Sequence, residues 1–255
     1  MKADEIDYQI TGHDVQLLEV TLDPGETVIA EAGAMVYMDP SIVFETHLGD
    51  GSAPNQGFLN KMFSAGSRLL TGESIFMTHF INQGNTPRKV AFAGPYPGSI
   101  VPLNLAEKGG RLIAQKEAFL CAAKGTKLGI HLNRKLGAGL IGGEGFILQS
   151  ITGDGMAFLH AGGTIVEKNL QNEELRIDTG CIVAYEPQLN LDIIQSGGMR
   201  SMLFGGEGLF LATLQGTGRV WLQSMPIRKF IRAINPAGDN RRKGSRSILG
   251  NFLED

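Results

Sequence analysis

The chain has 255 residues, 42% of them apolar, enough for a substantial core and too many for global disorder. Glycine is abundant at 35 residues and aromatics make up only 7%, a mix that suits many short strands joined by tight turns rather than a helical bundle. The net charge of −3 is uneven: residues 228–255 carry seven Lys/Arg against three Asp/Glu, and residues 1–227 sixteen against twenty-three, so a mildly acidic body argues against a broad phosphate-binding surface.

In chain order, residues 15–22 read as a strand ending in the turn Asp23-Pro24-Gly25-Glu26. Strands over 27–30 and 34–38 follow, then a break at Asp39-Pro40 and a strand over 42–46. Proline has no N–H to give a central ladder, so each Pro-containing break marks a turn. Residues 48–67 form a long Gly/Ser/Asn-rich loop in which Phe58, Leu59, Met62 and Phe63 suit a short amphipathic helix. A loop of that length in a compact domain usually carries function or moves. Strands over 75–81 and 88–93 then read as a hairpin.

Two motifs recur along the chain. Gly72-Glu73-Ser74-Ile75-Phe76-Met77, Gly143-Glu144-Gly145-Phe146-Ile147-Leu148 and Gly206-Glu207-Gly208-Leu209-Phe210-Leu211 form one set. Ala30-Glu31-Ala32-Gly33-Ala34-Met35-Val36, Ala114-Gln115-Lys116-Glu117-Ala118-Phe119-Leu120 and Ile177-Asp178-Thr179-Gly180-Cys181-Ile182-Val183 form the other. Glu117 to Glu144 is 27 residues, as is Gly180 to Glu207, whereas Gly33 to Glu73 is 40, so the first copy carries the extra loop. Each second half reads as a hairpin: 146–151 and 156–160 about Gly153-Asp154-Gly155, and 209–214 and 219–223 about Gly216-Thr217-Gly218. In the third copy Asn172-Glu173-Glu174 takes the turn role. A lone unit of this kind would expose an apolar sheet face, which stacking buries. The expected fold class is all-β: one domain over 1–235 of three tandem β-sandwich repeats, about 1–102, 103–168 and 169–235, packed with pseudo-threefold symmetry. Residues 236–255 form a basic C-terminal tail.

The chemistry-bearing residues are sparse. On a pseudo-threefold axis Glu73, Glu144 and Glu207 would occupy equivalent positions and could hold a hard cation such as Ca²⁺. The plainer alternative, which the local sequence favours, has each accept backbone N–H groups at its own Gly-rich turn. Gly137-Ala138-Gly139-Leu140-Ile141-Gly142 matches G-x-G-x-x-G but runs into a strand rather than a helix, so it is no dinucleotide fingerprint. His13, His47, His79, His131 and His160 are scattered without metal-ligand spacing. His79 shares strand parity with Ser150 and Thr213 and reads as a satisfied core or interface histidine rather than a catalytic or ligand one. Cys121 and Cys181 fit neither a metal motif nor a disulfide framework. No serine sits in a nucleophile elbow, so an enzyme is not expected and no cofactor is implied.

Arg228, Lys229, Arg232, Arg241, Arg242, Lys243 and Arg246 precede Ile248, Leu249, Phe252 and Leu253. Each charge near an anionic lipid surface contributes about 1 kcal/mol, although lipid-binding runs are usually denser and a solvated tail is the simpler reading. Without interleaved aromatics, nucleic acid is not an expected partner. No stretch reaches the length of a membrane span, and the first residues do not read as a signal peptide. The expectation is a cytoplasmic protein, able to sit peripherally on a membrane.

The run from Pro24 to Met38, followed by Thr71-Gly72-Glu73-Ser74, Gly142-Gly143-Glu144-Gly145, Asp178-Thr179-Gly180 and Gly205-Gly206-Glu207-Gly208, resembles the altered-inheritance-of-mitochondria family over about residues 1–230. The resemblance implies a fold similar to the tryptophan RNA-binding attenuation protein, a short double-stranded β-helix type of sandwich repeated within the chain. It carries no agreed catalytic residues. RNA binding does not follow from fold alone, and no repeated Lys/Arg set corresponds to the attenuation protein's. Function is therefore expected to be a non-enzymatic scaffold or interaction role, with a protein partner or a membrane surface, in a homo-oligomer. The alternative is a small-molecule or metal-binding module using the faces between repeats. Residues 48–67 and 236–255, which do not repeat, are the places singled out for interaction.

Overall fold

The computed structural model describes residues 2–48, 76–131, 147–195 and 210–234. The first strands are β1 (Asp7–Thr11), β2 (Leu17–Leu22), β3 (Thr27–Ala30), β4 (Met35–Met38), β5 (Ile42–Leu48), β6 (Phe76–Asn82) and β7 (Arg88–Ala93). Next come β8 (Gly98–Asn104), β9 (Arg111–Gln115), β10 (Phe119–Ala123), β11 (Lys127–His131), β12 (Leu148–Thr152) and β13 (Met156–Gly162). The last are β14 (Ile165–Asp178), β15 (Ile182–Tyr185), β16 (Asn190–Gln195) and β17 (Phe210–Gln223), followed by helix α1 (Ile227–Ile234). The all-β expectation holds.

Three antiparallel sheets result. The first runs β1-β2-β7-β4, the second β5-β6-β3-β10-β13-β8, and the third β11-β12-β9-β15-β17-β14, with β16 also on β17. Their stacking explains the residue pattern. β2 alternates, with Leu18, Val20 and Leu22 fully buried against the second sheet and Glu19 on the other face, as a one-sided strand must. In the second sheet Val28 and Ala30 face the first sheet, while Ile29 joins a separate core with Leu112, Ala114 and Trp221 of the third. That sheet is covered on both faces. Its central strands β3, β10 and β13 accordingly read as buried runs, Phe119 to Ala123 among them, and lose the period of two that marks a half-exposed strand. A third core lies on the far face of the third sheet, around Tyr185, Leu191 and Leu214.

The hairpin expectation fails, and the reason is topological. The strands 76–82 and 88–93 exist, but β6 pairs with β3 and β5 whereas β7 pairs with β2 and β4. β12 and β13 likewise part, to the third and second sheets. The Asn82 and Gly153-Asp154-Gly155 turns are corners between layers. Between residues 214 and 219 the expected turn is absent. β17 continues through Gly216 and Gly218, both at positive φ, because β14 pairs with it along its whole length. The presumed turn at Asn172 is a bulge in that pairing: Asn172 sits at φ 60° and the register slips between Gln171 and Glu173, the one extra residue a β-bulge inserts.

Candidate interaction surface

β4 is the edge of the first sheet. Across that sheet Glu19 on β2 and Tyr37 on β4 both lie opposite Ala91 on β7, so their side chains share the face turned away from Leu18 and Val20. The Tyr37 hydroxyl donates to Glu19 Oε2, and Lys89 Nζ donates to Glu19 Oε1 at 2.6 Å. The Lys89 hydrogen bond first, and the Tyr37 one second, hold the Glu19 carboxyl below the usual carboxylate range. This clip fixes the edge strand in place. What it presents is apolar: Met35, Val36 and Tyr37 are 38%, 53% and 42% exposed. Among the described residues β4 pairs with β7 alone. An exposed apolar edge with open backbone groups is a template for another strand.

A second apolar feature closes the described chain. Helix α1 is tethered by Lys229 Nζ to Asp178 Oδ2 at 3.1 Å, and Asp178 Oδ1 accepts from Gly180 N. Ile231 and Ile234 are exposed on it, with Met225 exposed just before.

The histidines do not form a centre. His79 is buried, as its strand parity suggested, and meets the half-buried His47 edge to face at 4.7 Å between ring centroids. His160 is buried against Tyr96 at 4.6 Å. Among the described residues no three His, Cys, Asp or Glu side chains cluster as a metal site. Burial lowers the His160 pKa, with a hydrogen bond to the Tyr96 backbone pushing the other way. Burial and then the Arg111 charge lower that of His131. The unfolded chain therefore binds protons that the folded one refuses, so stability falls as pH drops through the ordinary histidine value of about 6.5. Urea unfolding of wild type and His160→Gln from pH 7.5 to 5.5 checks this. The wild-type midpoint should fall on acidification and the variant's should fall less, with His131 supplying the remainder. Equal slopes would remove His160 from the account.

Two clefts include charged and polar groups engaged with one another. In one, bounded by Gln16, Ser99, Ile165 and Met225, Trp221 Nε1 donates to Glu167 Oε2 at 3.0 Å and the Ile100 N–H donates to Gln16 Oε1. In the other, bounded by Asn169, Gln188 and Thr217, Arg219 donates from its backbone N–H and from Nε to the Glu186 carboxylate at 3.0 and 2.9 Å. Glu73, Glu144 and Glu207 lie outside the described residues, as do Phe58, Leu59, Met62, Phe63, Arg241, Arg242, Lys243 and Arg246.

Residues 8–225 match the family model described as Mitochondrial biogenesis AIM24. The chain belongs to that family. An uncharacterised protein of Streptococcus pyogenes serotype M6 is 32% identical over 217 residues, 84% of this chain and 83% of the relative. The crystal structure of a Streptococcus pyogenes protein aligns with a TM-score of 0.72 at 25% identity, covering 91% of this chain and 99% of that one. Layered sheets of this kind thus occur in a solved relative of the AIM24 chain. No helix among the described residues is long and apolar enough to cross a membrane.

Val36, Tyr37, Glu19, Lys89, Ile231 and Ile234 are absent from the candidates that sequence singled out. The motif holding Val36 was visible, but sequence treats Met35-Val36-Tyr37 like its counterparts Phe119-Leu120-Cys121 and Ile182-Val183-Ala184. Only the topology shows that, among the described residues, the first of the three lacks a neighbour on one side.

Proposed function

We propose that this AIM24-family chain is a non-enzymatic scaffold built of three equivalent units, working through its surface. The exposed edge strand β4 carries the reading. Support for three units comes from the pairings: β2 with β7, β8 with β13, and residues 165–171 with 217–223 correspond, as do β5 with β6, β11 with β12 and β16 with β17. His79, Ser150 and Thr213 fall opposite Ile29, Ile113 and Arg176 in the same order, which is the relation three equivalent repeats require. The engagement of Glu167 with Trp221 and of Glu186 with Arg219 in the clefts favours surface over cleft. Helix α1, with Arg228 and Lys229 beside exposed Ile231 and Ile234, supports a peripheral membrane contact of the amphipathic kind.

A photo-reactive residue placed at Val36 or at Ile234 in full-length protein in living cells tests this. Discrete protein adducts are expected from Val36 and lipid adducts from Ile234. A folded protein that gives no adduct from either position overturns the surface reading. Protein adducts alone overturn the membrane part.

A further inference from the structure

The junctions inside the chain show what the β4 edge fits. β3 pairs with β10, setting Cys121 opposite Ala30 and Ala122 opposite Ile29. β9 pairs with β15, setting Ala184 opposite Ala114 and Tyr185 opposite Ile113. The shared motif aligns Ala30, Ala114 and Ile177, and likewise Tyr37, Cys121 and Ala184. Both junctions therefore use one register. A third junction of the same kind would set Tyr37 opposite Ile177 and Met38 opposite Arg176.

Among the described residues that third junction is not made. β4 pairs with β7 only, and the 173–178 part of β14 pairs with β17 only. Exposure records both missing neighbours. Val36 is 53% exposed where Leu120 and Val183 are 2% and 0%. Thr27 to Ala30 are all buried, whereas Glu174 and Arg176 are exposed and Leu175 is half-buried. The two open edges belong to the first and third sheets, which pack on opposite faces of the second.

We propose that copies of this chain join head to tail, β4 of one pairing antiparallel with residues 173–178 of the next, in the register of the internal junctions. This rests on the interaction reading above and names its partner as a second copy. The occupant follows from complementarity: the strand type that fills this edge at both internal junctions is present, uncovered, at the other end of the same chain. Such a contact is heterologous, so it propagates until a ring closes or continues as a filament.

The test uses full-length chains with Cys181→Ser, leaving the fully buried Cys121. One chain carries Met38→Cys and the other Arg176→Cys, a mostly exposed position; a second set carries Tyr37→Cys and Ile177→Cys. Mixed under mild oxidation, either set should give a disulfide-linked heterodimer. Tyr37→Cys mixed with Glu173→Cys, out of register, should not. Wild type should run in light scattering above the 27.4 kDa of one chain, and Val36→Lys should lower that mass without changing the circular dichroism. Wild type at single-chain mass, or folded mixtures without heterodimer, overturns the proposal. A third chain carries Met38→Cys and Arg176→Cys together; a bridge formed only within that chain overturns the proposal too, by showing that the ring closes on itself. If Val36 cross-links to a different protein while no heterodimer forms, the interaction surface stands and self-pairing falls.

Discussion

Gly98→Ala should be among the most damaging single-methyl changes in the molecule. A Cβ at Gly98 would lie 2.2 Å from the Ala161 carbonyl oxygen and 2.7 Å from His160 Nε2. The first contact is with backbone, which no rotamer change relieves. Gly98 also opens β8, where it faces Gly162 in a seven-pair ladder with β13 and accepts from Gln16 N at 3.1 Å. Moving the strand aside would disturb that ladder and the imidazole packed beneath it. Overpacking of this kind costs about 3 kcal/mol, or about 10 °C in midpoint for a chain of this size. Gly25→Ala is the comparison. Gly25 sits at φ 87° with nothing within 4 Å of the added methyl, so it carries only the left-handed backbone cost of about 1–2 kcal/mol. Thermal unfolding of both variants decides the matter. If Gly98→Ala melts no lower than Gly25→Ala, the close approach is not holding β8 in place.

Asn82→Asp should cost at least as much. Asn82 is fully buried at the corner where the chain leaves the second sheet for the first. Its Nδ2 donates to the Leu22 and Thr86 carbonyls at 2.8 and 2.9 Å, and its Oδ1 accepts from Gly84 N at 2.9 Å. One side chain thus bonds three backbone groups at the change of sheet. Aspartate keeps the shape but turns the two donors into an ionised oxygen facing two carbonyls. With two buried acceptors unsatisfied, a loss of about 4 kcal/mol is expected at pH 7. That carboxyl would be harder to ionise in the folded chain than in the unfolded one, so folding would take up a proton and the penalty would shrink as pH falls toward 4. Denaturant unfolding at pH 7 and pH 4.5 measures both statements. A penalty under 1 kcal/mol at pH 7, or one that grows on acidification, would show that the corner does not depend on those donors.

Most strands were legible in the sequence because each carries its own signal. β3 and β7 fall on the residues expected for them, and the Asp23-Pro24-Gly25-Glu26 turn forms with Glu26 N donating to Asp23 O. What local patterning could not supply was partnership. A polar turn between two apolar runs looks the same whether the runs pair or depart to different layers, so β6 with β7 and β12 with β13 read as hairpins. Asn172 and Gly216 read as turns because both tolerate positive φ, yet in place they let long strands bulge without reversing. The candidate surface was hidden for a related reason. Val36 and Leu120 occupy the same motif position, and what separates them is whether another strand arrives beside them. Tyr37 and Glu19 are brought together across β7 by pairing alone, though they stand 18 positions apart in the chain.

The order in which the sheets are completed has a consequence for synthesis. The first sheet has all its strands once Ala93 is made, the second once Gly162 is made, and the third once Gln223 is made. An emerging chain can therefore assemble from its N-terminus, each finished layer serving as the surface on which the next is laid. The interval between layers is the vulnerable one. After Ala93 leaves the ribosome, β3 has β6 on one side and no β10 on the other, and Ile29 waits without the core it will join. A pause in translation between residues 93 and 119 would prolong that state. Slow codons or a stalled ribosome in this stretch should thus depress the yield of folded protein more than the same delay placed after residue 162.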